Sequence, residues 1–148
     1  MFIHNIPEAT LYSAVYNEGR IVLPTRVLAV DKILFDTGAL QSSYISKTFV
    51  NKYRHLLYEF ISEEDIQVVM ADSQSTQNIT EKIVLDLEFV DGQQAIHNKK
   101  ITLHIFEMSN NNFIIGLPDI LEHFSVLFKD MLNSALWNTG LSKTMFLQ

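Results

Sequence analysis

Ile33-Leu34-Phe35-Asp36-Thr37-Gly38-Ala39 is the stretch on which the reading of this chain turns. Three large apolar residues run into an acid, a hydroxyl and a glycine. The pattern is that of a buried strand feeding a tight turn that carries one carboxylate. An unpaired buried carboxylate is costly, so an acid at the dry end of a strand calls for a reason. The arrangement occurs once in the 148 residues.

Working outward, the dominant hydrophobic period is two. Upstream, residues 11–16 alternate loosely, Glu18-Gly19 reads as a turn, and residues 20–30 form an apolar, β-branched run in which Pro24 predicts an edge or a bulge. Residues 32–35 are the short buried strand that ends at Asp36. Downstream, residues 46–60 are the clearest helical segment. Ser46 can cap it, and Phe49, Val50, Tyr53, Leu56, Leu57 and Phe60 recur at three- and four-residue spacing. Residues 65–71 and 81–90 flank a polar stretch and predict a long hairpin with a polar tip. Asp91-Gly92 marks a turn before a strand over 100–106. Phe113-Ile114-Ile115 is a second short apolar run that ends in a glycine, Gly116. A short helix over 118–123 follows, then a strand over 125–128. The expected fold class is all-β: a closed barrel of short strands with one or two small helices.

Composition bounds the rest. A length of 148 residues suits one domain, with a core at about 11–128 and tails that are candidates for dimer formation. Apolar residues make up 47% and charged residues 19%, a globular balance. The net charge is −6 and no basic run exceeds Lys99-Lys100, so no nucleic-acid partner is expected. There is no cysteine, which excludes disulfides and thiolate metal sites. The five histidines (His4, His55, His97, His104 and His123) form no His-x-x-x-His pair, so no metal and no cofactor are expected. Neither a signal peptide nor an apolar run of the roughly 20 residues needed to cross a bilayer is visible. The expectation is therefore no membrane partner and a cytoplasmic or nuclear location. Asn78-Ile79-Thr80 is a formal sequon and is read as chance.

The turn at Asp36-Thr37-Gly38 suits one chemistry. Gly38 permits the tight backbone, Thr37 can lock the loop by hydrogen bonding, and Asp36 is presented rigidly. One such carboxylate is a weak catalyst. Two held close together cannot both ionise, so they share a proton. One then acts as general base on a water and the other as general acid on a carbonyl.

In three pieces, in order, the chain resembles the retropepsin-like aspartic proteases of retroviruses and retrotransposons. Phe35-Asp36-Thr37-Gly38-Ala39 is similar to the family's active-site turn. Val69-Met70-Ala71-Asp72-Ser73 is similar to its flap, the substrate-binding hairpin. Phe113-Ile114-Ile115-Gly116 is similar to the late apolar element behind the active-site loop. The resemblance implies an acid-protease barrel with one lobe per chain and a symmetric homodimer in which each subunit lends one Asp36. It also implies that Thr37 bonds the opposite loop and that the hairpins close over an extended peptide or polyprotein substrate. The implied activity is peptide-bond hydrolysis by an activated water, in the setting of polyprotein processing. Retroviral flaps usually have a glycine-rich tip, whereas residues 67–91 contain no glycine.

Two other readings stay open. A dimerisation or peptide-binding module would keep the fold without turnover. A plain structural barrel would leave Asp36 as a solvated acid in an ordinary turn. The apolar strand before Asp36 and the Ile114-Ile115-Gly116 element favour catalysis. Ser42-Ser43 lies near Asp36, but no Gly-x-Ser-x-Gly elbow exists, which disfavours a serine nucleophile.

Overall fold

A computed structural model describes residues 15–69 and 76–138. In chain order the elements are β1 (Val15–Val22), β2 (Val27–Asp36), β3 (Ser43–Ser46), α1 (Lys47–Lys52), α2 (Arg54–Leu57), a 3-10 turn (Tyr58–Phe60), β4 (Ile61–Val69), β5 (Thr76–Val90), β6 (Ile96–Phe106), β7 (Phe113–Gly116), α3 (Leu117–His123) and α4 (Ser125–Asn138). The strands pair in the order β1-β2-β7-β3-β6-β5-β4, and β1 also pairs with β5. That last pairing closes β1, β2, β7, β3, β6 and β5 into a six-stranded barrel, with β4 attached outside it to β5. The all-β barrel expected from the alternating pattern is what the chain forms.

Strand β7 lies between β2, to which it is parallel, and β3, to which it is antiparallel. Parallel neighbours cannot be joined by a tight hairpin, so the chain makes a long excursion between Asp36 and Phe113. Period two sorts the side chains onto two faces. Ile33, Phe35, Ile45, Leu103, Phe113 and Ile115 fill the barrel. Phe35 anchors that filling, with its ring edge-on to Phe89 at 5.4 Å and to Phe124 at 6.0 Å. Leu34, Tyr44 and Ile114 point the other way and build a second apolar cluster with Ala39, Val68, Ile79 and Phe106.

Several sequence expectations change. Glu18-Gly19 is not a turn but lies inside β1, where the register slips between Asn17 and Gly19. The glycine is required by a close approach instead: a Cβ there would sit 2.6 Å from the Phe89 ring. Residues 20–30 are two strands, because Pro24 falls in a turn closed by the Leu23 N–H donating to the Arg26 carbonyl at 2.8 Å. The helix over 46–60 starts as expected, with Ser46 Oγ accepting from the Phe49 N–H. It breaks at Tyr53, whose N–H is shared between the Phe49 and Val50 carbonyls. The segment after Phe124 is helix α4 rather than a strand over 125–128. Phe124, Leu127 and Met131 are buried at helical spacing, while Val126 is 66% exposed. A strand would have split that set between two faces. Among the described residues, four small α-helical segments accompany the barrel, in keeping with the expected all-β class.

The hairpin arms run further than the pattern showed, over Ile61–Val69 and Thr76–Val90, and β6 begins at Ile96. The tails at 1–14 and 139–148 lie outside the described residues. No described helix is long and apolar enough to cross a membrane.

Candidate active site

Asp36 is the last residue of β2 and is 1% exposed. Its carboxylate is held at the strand end because the turn folds back on it. The Gly38 N–H donates to Asp36 Oδ1 at 2.7 Å, and the Ala39 N–H donates to the Asp36 carbonyl at 3.2 Å. Thr37 and Gly38 are half-buried in that turn, and Ala39 is fully buried.

The turn is braced from behind by β7. Asp36 and Gly116 are cross-strand partners. A Cβ on Gly116 would lie 1.9 Å from the Ser42 carbonyl oxygen and 2.9 Å from that of Ala39. No side chain fits in that space, so the backbone of β7 presses directly on the 39–42 loop. Two bonds fix the contact. The Leu117 N–H donates to the Ala39 carbonyl at 2.9 Å, and the Gly116 N–H donates to Ser43 Oγ at 2.9 Å. The Ser43 hydroxyl in turn donates to Asp119 Oδ2 in the first turn of α3. Asn112 ties the β6–β7 loop to β2, with its N–H on the Lys32 carbonyl and its side-chain amide on Asp31.

Beside the carboxylate lies the second apolar cluster. Leu34 stands two residues before Asp36 on the same face, and Ile114 is its cross-strand partner. Tyr44 pairs with Ile114 and with His104, so one row of side chains crosses the barrel from β2 to β6. Val68 and Ile79, from the two arms of the β4–β5 hairpin, are 0% and 1% exposed against this face. The hairpin therefore folds over the face that carries Asp36. Burial first, and the nearby Glu64 carboxylate second, push the Tyr44 phenol well above its ordinary value, so it stays neutral.

Of the residues singled out in the sequence, Asp36, Thr37, Gly38, Ala39, Ile114 and Gly116 meet at this turn. Ile115 packs in the barrel interior on the opposite face. Val69 is the last residue of β4, in register with Thr76, while Met70, Ala71, Asp72 and Ser73 lie outside the described residues. Sequence reasoning missed Ser43 and Asp119 as bracing residues, and the contact of Glu64 on the hairpin arm with Tyr44 and His104 of the barrel. Ser43 opens a four-residue strand that is buried throughout, which its polar sequence context does not reveal. A hydroxyl there must bond inward.

Chemically, the arrangement presents one rigidly held carboxylate beside an apolar shelf under a hairpin. Among the described residues, no group of three histidine or acidic side chains is placed to hold a metal ion. No family model, no curated protein and no solved structure matches this chain.

Proposed function

We propose that this chain is one half of an aspartic endopeptidase. Two copies pair so that their Asp36 side chains face each other and share a proton. One carboxylate takes a proton from the attacking water while the other protonates the substrate carbonyl oxygen. The tetrahedral intermediate then collapses, and the scissile C–N bond breaks as the departing nitrogen is protonated. No covalent enzyme intermediate is involved. Thr37 braces the partner's turn, and the hairpin pairs with an extended peptide and excludes water from the site.

The observation that carries this reading is the placement of Asp36. It is a carboxylate 1% exposed at a strand end, its turn carries Ala39 into the apolar cluster that Val68 and Ile79 of the hairpin join, and the Gly116 backbone is wedged behind that turn. A solvated acid in an ordinary turn needs none of this. A polyprotein is the natural substrate on this reading, because an extended segment between domains can enter a groove under two hairpins.

The test is a peptide-library digestion across acidic to neutral pH at several protein concentrations. Specific activity falls on dilution, since the site is completed only by a second copy. Activity that is independent of concentration would refute the shared site. If the protein binds peptides with undiminished affinity after Asp36→Asn and cleaves none before it, the chain is a peptide-binding module instead.

A further inference from the structure

Strand β4 carries three consecutive acids, Glu63, Glu64 and Asp65. Glu63 and Asp65 are exposed, as a charged strand edge should be. Glu64 turns inward. Its side chain is 10% exposed, and its Oε2 lies 2.5 Å from Nδ1 of His104, whose side chain is 13% exposed. The two atoms lie within hydrogen-bond distance, and the imidazole tautomer sets which of them donates. The Tyr44 ring flanks the imidazole at 5.8 Å between centroids, and Lys82 is its cross-strand neighbour on β5.

This pair does not stabilise the barrel closure. His104 belongs to β6, a barrel strand, and Glu64 belongs to β4, whose strand partner among the described residues is β5. The pair therefore bridges the outer arm of the hairpin to the barrel wall. His104 continues the cross-strand row that runs from Leu34 through Ile114 and Tyr44, and Glu64 reaches it from the point where the β4 register slips between Glu63 and Ile66. Val68 and Ile79 hold the hairpin down through buried apolar contact, which is not directional. The Glu64–His104 bond is directional, and lifting the hairpin would separate two buried polar groups at once.

We propose that Glu64 and His104 are positioning residues, a buried latch that holds the β4–β5 hairpin in one pose over the face carrying Asp36. The latch is independent of catalysis. Its consequence for turnover rests on the endopeptidase reading: with the latch broken, the hairpin no longer meets the peptide in a single pose, and KM rises more than kcat falls.

Hydrogen exchange tests the latch on the full chain, in both the wild-type and Asp36→Asn backgrounds. In Glu64→Gln and in His104→Gln, amides of 61–69 and 76–83 exchange about tenfold faster, while those of 113–116 are unchanged. The double variant exchanges no faster than either single one, because both remove the same bond. Glu64→Asp, which keeps the charge but shortens the reach, repeats the hairpin-restricted change and serves if the neutral variants fold poorly. Acceleration spread evenly over hairpin and barrel, or none at all, overturns the latch. Hairpin-restricted acceleration in a protein that cleaves no peptide leaves the latch standing and removes the endopeptidase reading. In an active protein, a kcat loss with unchanged KM overturns the positioning role.

Discussion

Two turns among the described residues follow an aspartate at a strand end, and they are held in different ways. Asp91 follows β5 and organises its own hairpin. Its Oδ1 accepts from the Gln93 and Ala95 N–H groups, and its Oδ2 meets His97 Nε2 at 2.8 Å. Every one of those partners lies within six residues. The hydrogen bond from His97 foremost, then that from Ala95, holds its carboxyl below the ordinary carboxylate value. Asp36 also bonds locally, to Gly38, but its setting comes from far along the chain. Gly116 is wedged behind it, Ser43 and Asp119 brace that wedge, and Val68 and Ile79 arrive from a hairpin overhead. An aspartate whose partners are all local is explained by its turn. One that several distant segments converge on is not explained by its turn alone, and the proposed catalytic role would account for it.

The comparison can be broken most sharply by Asp36→Asn. The side chain keeps its shape and can still accept from Gly38, so the fold persists, while on the proposed endopeptidase reading peptide hydrolysis falls by about a thousandfold or more in kcat. Retained hydrolysis would remove the distinction between the two turns. Next in size is Gly116→Ala. The added methyl meets the Ser42 carbonyl oxygen at 1.9 Å, which backbone cannot relieve cheaply. Urea unfolding should show a loss of at least about 3 kcal/mol, or no folded protein. Ser43→Ala tests the brace more gently. It leaves the Gly116 N–H and the Asp119 carboxylate each short of a partner, at about 2 kcal/mol in the same assay. The smallest effect belongs to Asp91. Because its folded-state value is depressed, its contribution to stability is fully present above the ordinary value of 3.8 and is lost as pH falls through the folded-state value. Asp91→Asn should therefore flatten the acid limb of the stability profile below that pH and leave hydrolysis at neutral pH intact.

The bracing of α4 illustrates the same division between local and distant causes. The Gly92 N–H donates to Asp130 Oδ2 at 2.8 Å, tying the β5–β6 turn to this helix. Nothing in residues 125–128 alone announces a helix, since Val126, Leu127 and Phe128 suit either period. The choice is made by Phe124, Leu127 and Met131 meeting Phe35 and Phe89 in the barrel. Tyr53 shows the converse. The helical spacing from Phe49 to Phe60 is real, and Phe49, Val50 and Leu57 are buried, yet the helix breaks in the middle. Spacing reports which face is buried and not whether the axis stays straight.

Alternation with a period of two was enough to predict a chain built of strands, because each strand must hide one face. Three apolar residues running into Asp36-Thr37-Gly38 were enough to mark the one turn with an unexplained acid. Those are properties of neighbouring residues, and a linear reading reaches them. It could not reach the parallel seating of β7 against β2, the wedge of Gly116, the Ser43–Asp119 brace or the Glu64–His104 bridge. Each joins residues that are distant in sequence, and each depends on which strands lie side by side. Strand order is set by how the whole apolar surface closes, and no local stretch carries that information.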